Sequence, residues 1–313
     1  MRPLTGTIAS YDAPSTREIA ERVGLPVTAV IRFDGNTSPQ ALPSTRAEAL
    51  TEELGRIHTY PHGGYPELER AIADYAGVAQ ENVVLGAGAD DLILLLTRSF
   101  ASPGDTVAIA NDPTYPMFAI SVWVAGADVG DDDPMLTICC RPNNPTGELG
   151  ELPDARPLVV DEAYYEYSRE TAVELIEDGV IVIRTLSKAF GLAGARVGYA
   201  LAARDVAAEL NKRKHPAPLS TLSGALALAG LAAPPDVTPI LEERERMRER
   251  LQELGFAPLP SHANFVYVPV DDSQAEYDRL LQKGFAVRPV RGGIRITIRT
   301  EEEDHRLLNA LQS

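Results

Sequence analysis

The sequence predicts an α/β protein with a mostly parallel sheet sandwiched by helices, followed by a smaller C-terminal α+β unit. Three observations carry this. Short, nearly continuous apolar runs recur between Val83 and Ala202, the pattern of strands buried on both faces. Several are separated by stretches long enough for a crossover helix. After about Ala203 the texture changes to long helical patterns and then to a few strands with helices between them.

Taken in order, residues 1–34 read as an arm with one short helix near Ser15–Val23, where Ser15 and Glu18 have the spacing of a capping box. IRFDGNTSPQALP follows, and its Gly35, Asn36, Pro39 and Pro43 predict a loop crossing the surface. A helix is expected over about Ser44–Arg56, then Tyr60 and the Gly63–Gly64 pair, then a second helix opened by Pro66, which suits a first helical turn. VVLGAGADDLILLLTRSF changes from strand to glycine turn to helix, with Gly86 and Gly88 before Asp90. Such a turn can seat an anion: free N–H groups and the positive end of a helix favour it by ~0.3–2 kcal/mol, and glycine permits close approach.

Further strands are expected at Thr106–Ala110, Met135–Cys140, Pro157–Asp161, Val180–Leu186 and Val197–Ala202. Functional residues in such a sheet sit in the loops past strand ends. Tyr115 in NDPTYP, Asn144 in RPNNPTG, Asp161 and Lys188 all fall there. The chain therefore divides into an arm (1–34), a large α/β domain (35–203) and a small α+β domain (204–313). In the last, the charge run TPILEERERMRERLQELG reads as a solvated helix face, and Arg288 and Arg295 lie on strands.

Composition limits the partners. The 313 residues are 44% hydrophobic and 24% charged, as in an ordinary globular protein. A formal net charge of −16 disfavours nucleic acid or an anionic membrane, whose phosphates repel such a surface. Cys139 and Cys140 are adjacent within an apolar run, which suits neither a disulfide framework nor a thiolate metal site. With no signal-peptide core and no apolar stretch of span length, a cytoplasmic protein with no bound metal is expected.

TLSKAFGLAGARVGY, residues 185–199, places Lys188 beside Thr185, Ser187 and Arg196. An amine that forms a Schiff base with an aldehyde needs a fixed position, a lowered pKa and, for a phosphorylated aldehyde, an anion cradle nearby. Taken alone, a lysine after a buried strand is ordinarily a solvated one. Joined to PNNPTG (142–147), VDEAYYEY (160–167) and GIRIT (293–297), in that order, it resembles the fold type I enzymes dependent on pyridoxal 5′-phosphate (PLP), most closely the histidinol-phosphate aminotransferase family. The resemblance runs from about Phe33 to the C-terminus.

The resemblance implies a role for each matching residue. Lys188 anchors PLP and moves protons, and Asp161 pairs with the pyridine nitrogen of this electron sink. Asn144 and Tyr164 bond its phenolic oxygen, and Tyr115 stacks on its ring. The turn at Gly88, Ala89 and Asp90 takes the phosphate with Thr185, Ser187 and Arg196. Tyr60 reaches that phosphate from the partner subunit of a homodimer. Arg295, helped by Arg288, grips the substrate anion through a planar fork, and the loop at Asn36 lines the substrate side. The implied reaction is a ping-pong exchange between an amino acid, such as glutamate with 2-oxoglutarate, and histidinol phosphate with its keto counterpart. Threonine-phosphate decarboxylases and aromatic amino-acid aminotransferases are the rival readings. Compared with the family, the segments 129–135 and 289–293 are short, Ala89 replaces a serine, and DGNTSP replaces an NENP-type loop. Asn264 matches a position at the domain junction with no role assigned.

Overall fold

The computed structural model describes residues 14–39, 50–51, 53–61 and 63–312. Most of the helix expected over 44–56 lies outside the described residues. Helix α1 (Thr16–Val23) has the expected capping box. Ser15 Oγ accepts from the Glu18 N–H at 3.2 Å, and the Glu18 carboxylate accepts from the Ser15 N–H at 2.6 Å. Strand β1 (Ile31–Arg32) follows, then α2 (Pro66–Ala76), β2 (Val83–Gly86), α3 (Ala89–Phe100), β3 (Thr106–Ile109), α4 (Met117–Ala125), β4 (Asp128–Val129), β5 (Leu136–Cys140) and β6 (Leu158–Asp161). A single helical turn, α5 (Tyr165–Ser168), leads to β7 (Val180–Thr185) and β8 (Gly198–Leu201).

These strands form a seven-stranded sheet in the order β2–β8–β7–β6–β5–β3–β4. Only β8 is antiparallel to its neighbours, so the sheet is mostly parallel, as expected. Alternation within the strands supplies a core on each face. Val83, Leu85, Val160 and Val182 join α2 on one side, while Val84, Val159, Ile181 and Ile183 meet α3 and α4 on the other. Each such side chain contributes ~1.5–3 kcal/mol on burial, so a shift of register by one residue would turn every one of them to the wrong face.

Helices α6 (Arg204–Arg213) and α7 (Thr221–Ala232) come next. Both correct the expected division at residue 203: Ala207 and Leu210 of α6 join one core of the large sheet, and Ala227 and Leu231 of α7, with Leu219 just before it, join the other. The sequence gives no clear sign of this, because α7 is apolar nearly all round and shows no face. The small unit then comprises α8 (Thr238–Glu253), β9 (Phe265–Pro269), α9 (Ser273–Gln282), β10 (Phe285–Ala286), β11 (Arg288–Val290), β12 (Gly293–Thr297) and α10 (Glu301–Gln312). An antiparallel sheet β11–β12–β9 packs Val266, Ile294 and Ile296 against Met247, Leu251 and Leu307 from the helices. Most of the charge run on α8 is paired at the surface, but Arg244 is buried and donates to the Ala263 carbonyl at 3.0 Å.

A second correction concerns residues 31–43. The described part is anchored in the core and not simply laid over the surface: β1 pairs in parallel with β10, Phe33 is fully buried and Asn36 is 1% exposed, while Gly35 between them is exposed. Glycine and proline mark broken secondary structure, not exposure. Here the backbone is satisfied from across the molecule, with Phe33 N–H donating to Ala286 and Thr297 N–H to Phe33. α1 and β1 thus pack against the small unit, not as a separate arm.

Candidate active site

The cleft opens at the C-terminal ends of the parallel strands, where crossover topology brings loops of distant sequence together. At its inner end, α3 begins directly after Gly88, whose φ of +89° is easy only for glycine. A Cβ there would lie 2.5 Å from Arg196 Nη2, and one on Gly198 would lie 2.6 Å from the Gly88 carbonyl carbon. Bare backbone at both positions therefore lets the first turn of α3, the start of β8 and Arg196 converge. The opening N–H groups of a helix have no acceptor within it, which leaves them available to an anion.

The hydroxyls of Thr185 and Ser187 face the same point. Thr185 Oγ1 donates to Ser187 Oγ at 2.9 Å, and Arg196 Nη1 lies 3.4 Å from that oxygen. Asp90 contributes something the sequence did not announce. Its carboxylate accepts from the Tyr115 hydroxyl at 2.9 Å and from Arg196 Nη2 at 3.2 Å, fixing both side chains at the rim.

Asp161, at the end of β6, is buried and accepts from the Ala163 N–H at 3.0 Å. Burial, reinforced by nearby Asp90, pushes its pKa up to about 7, against the Ala163 bond and the Lys188 charge. Lys188 moves the opposite way: burial first, then the Arg295 guanidinium, lowers it to about 8. Both shifts bring the two groups toward neutral pH, as is common where proton transfer is carried out.

Asn36 Nδ2 donates to the Tyr164 hydroxyl at 2.9 Å. The Tyr164 ring lies 5.9 Å from Lys188 Nζ and packs edge-on to Phe265 at 5.2 Å. Burial raises the Tyr164 pKa, so the phenol stays protonated. Arg295 Nη1 donates to Asn144 Oδ1 at 2.6 Å and Nη2 to the Asp34 carbonyl, with the guanidinium over the Phe265 ring at 5.4 Å. One cavity of about 290 Å³ is lined by Asn36, Ala89, Asp90, Tyr115, Asn144, Asp161, Tyr164, Thr185, Ser187, Lys188, Arg196 and Arg295.

Besides Gly88, which shapes the turn but does not line that cavity, two expected residues stand apart from it. Arg288 faces Arg295 across the β11–β12 ladder and lines an adjoining pocket that shares Tyr115, Asn144 and Arg295 with the first. Tyr60 is 80% exposed and touches neither pocket within one chain.

Other residues escaped the sequence reading. Thr297 donates to Asn36 Oδ1 at 2.9 Å and accepts from the Asn36 N–H at 3.0 Å, while Asn264 Nδ2 donates to the Asn36 carbonyl at 3.1 Å. Asn264, unassigned from sequence, is thus part of the clamp that seats Asn36. Thr297 ends β12, an antiparallel strand of the small sheet, where the strand-end rule used for Asp161 does not apply. Cys140 also lines the cavity, with its thiol pKa raised by burial, and nothing in an apolar LTICC run signals this.

This arrangement is that of a PLP-dependent fold type I aminotransferase. The family model for aminotransferase class I and II matches residues 28–130 and 130–311, and the chain belongs to that family. The histidinol-phosphate aminotransferase of Thermoanaerobacter pseudethanolicus is 34% identical over 90% of this chain and 92% of that one. Its counterpart in Staphylococcus aureus is 30% identical over 85% and 86%. The crystal structure of histidinol-phosphate aminotransferase from Sinorhizobium meliloti in complex with pyridoxal-5′-phosphate superposes with a TM-score of 0.85 at 27% identity, covering 97% of this chain and 95% of that one. The protein is therefore a PLP-dependent aminotransferase. The donors present fit that cofactor: an anion cradle narrowed by two glycines at one end, a buried carboxyl, and an amine of lowered pKa.

Proposed function

We propose that the protein transfers an amino group between histidinol phosphate and a keto acid, with glutamate and 2-oxoglutarate as the second pair, in a ping-pong cycle. The observation that carries this is the position of Arg288 and Arg295, opposite each other on one ladder and both lining the pocket that adjoins the cofactor cavity. Histidinol phosphate has a phosphate and no α-carboxylate, whereas glutamate has two carboxylates. A pair of guanidiniums accepts either anion through the same planar fork.

When bound, PLP supplies the electron sink on which the amino group rests between the two half-reactions. Everything else falls to the chain. The N–H groups of Ala89 and Asp90, the hydroxyls of Thr185 and Ser187, and Arg196 hold its phosphate. Asp161 keeps a proton on the ring nitrogen. Asn144 and the Tyr164 hydroxyl hold the ring oxygen, Tyr164 oriented by Asn36. Tyr115 covers the ring from the rim. Lys188 would hold the cofactor through its amine and, with its lowered pKa, would carry a proton from the substrate carbon. Tyr60, with exposed Leu54 and Ile57 nearby in sequence, belongs to the contact with a second copy and completes that copy's phosphate cradle. Among the described residues no helix is long and apolar enough to cross a membrane, in keeping with a cytoplasmic enzyme.

The test is a half-reaction screen of the PLP-loaded protein against histidinol phosphate, glutamate, phenylalanine and threonine phosphate. Histidinol phosphate and glutamate are expected to discharge the yellow form. Carbon dioxide release from threonine phosphate, with no conversion of the others, would point instead to a decarboxylase.

A further inference from the structure

The pocket adjoining the cofactor cavity is lined by a third arginine, Arg291, which sits at the tip of the two-residue turn joining β11 to β12. Its backbone is held in place. The Tyr267 hydroxyl donates to the Arg291 carbonyl at 3.0 Å, the Val270 N–H donates to Gly292 at 3.2 Å, and a Cβ on Gly293 would lie 2.4 Å from the Val268 carbonyl oxygen. The side chain reaches across the pocket to the loop after β3, where Arg291 Nη2 meets Asp112 Oδ2 at 2.8 Å. That loop is equally fixed: Asn143 Nδ2 donates to the Pro113 carbonyl at 3.0 Å, Asn143 Oδ1 accepts from Thr114 at 2.8 Å, and Asn111 Oδ1 accepts from the Cys140 N–H at 2.8 Å.

Two rigid supports thus present one ion pair over the pocket mouth, and both partners are open to water, at 66% and 77% exposure. Exposed ion pairs of this kind contribute little to stability. Exchanging Asp112 for another anion therefore costs Arg291 little, and a dianionic phosphate is a stronger acceptor for a guanidinium than one screened carboxylate. On a chain of net charge −16, three guanidiniums against the one carboxylate of Asp112 around this pocket also leave a local positive excess that draws an anion inward.

We propose that Arg291 is a specificity-determining residue that binds the phosphate of the incoming substrate beside Arg288 and Arg295, and that Asp112 holds it in readiness and competes with that phosphate. The proposal rests on the reading of the substrate as a phosphate ester and adds a residue to it. It follows that Arg291 and Asp112 act in opposite directions, which separates an anion ligand from a simple latch between the two loops.

The experiment is calorimetric titration of the PLP-loaded enzyme with inorganic phosphate, in the wild type, Arg291→Ala, Arg291→Lys and Asp112→Asn, with melting curves to confirm folding. Arg291→Ala is expected to weaken phosphate binding roughly tenfold, Arg291→Lys by less, and Asp112→Asn to tighten it severalfold. Wild-type affinity in Arg291→Ala, no phosphate binding by the wild type, or weakening in both Arg291→Ala and Asp112→Asn would each overturn the proposal. Turnover of histidinol phosphate by the wild type is measured separately. Its failure would remove the substrate assignment, while the binding data would still decide the role of Arg291.

Discussion

The inner and outer ends of the cleft are held by different means. Inside, Asp161 and Thr185 end strands in the middle of a seven-stranded ladder, and the first turn of α3 is locked against β8 by two positions that tolerate no side chain. Outside, Arg288 and Arg291 sit on a short hairpin, and Asp112 sits on a loop and is exposed. A site that must orient a cofactor through many turnovers gains from preorganisation, whereas one that must admit two different substrates gains from groups whose partners can be exchanged. The comparison predicts that inner substitutions strike the rate of the chemical step and outer ones strike substrate binding.

The largest effect is expected from Lys188→Ala, which should lower turnover by ~10³-fold or more, since the proposed function makes this one residue both anchor and proton carrier. Borohydride treatment followed by mass measurement should fix the cofactor to the wild type and not to the variant. Asp161→Asn should lower kcat by roughly 10²-fold with a smaller change in KM. The same change should stabilise the cofactor-free protein. The folded pKa of Asp161 is raised to about 7, so the folded state binds more protons than the unfolded one, and stability is lost as pH rises from the ordinary carboxyl range through about 7. At pH 8, Asp161→Asn should raise Tm by a few degrees, and at pH 4 the gain should vanish. A destabilised variant at pH 8 would mean that the buried carboxylate is retained for stability and not for function.

What was legible in sequence divides differently, by whether a feature depends on near or on distant neighbours in the chain. Asn144, Asp161, Lys188 and Arg196 lie in contiguous motifs whose apolar strands fix their place, and the structure brings them to one cavity. The capping box at Ser15 and the opening of α2 at Pro66 were equally readable, because both depend on neighbours in sequence. What failed to show depends on contacts between distant segments. Asn36 was expected on an exposed loop, and its burial requires Thr297 and Asn264 from the other end of the chain. The boundary at 203 failed because α6 and α7 fill cores made by strands that precede them. The Arg291–Asp112 pair is of the same kind, since no local pattern joins a hairpin tip to the loop after β3.

Smaller effects sharpen the comparison. Arg295→Ala should raise the substrate KM by ~10–100-fold, since Arg295 belongs to both pockets, with a lesser fall in kcat from release of Asn144. Thr297→Val should cost only about 1 kcal/mol of stability and a few-fold in kcat, because Asn36 keeps its bond from Asn264. Smallest is a matter of pH. The rate at which the cofactor-free protein takes up PLP should rise from pH 7 and level off above about 8, as Lys188 loses its proton. Uptake that still climbs toward pH 10 would show a lysine of ordinary acidity and an inner site less desolvated than the geometry indicates.

The central claim is that a fixed cofactor site is joined to an exchangeable anion site suited to a phosphate-bearing amine. The most direct measurement is the single-turnover rate of the PLP-loaded enzyme with histidinol phosphate and with its dephosphorylated form, histidinol, in the wild type and in Arg288→Ala. The account predicts that the wild type strongly prefers the phosphorylated amine and that most of the preference disappears in Arg288→Ala. Equal rates for the two amines in the wild type would contradict it.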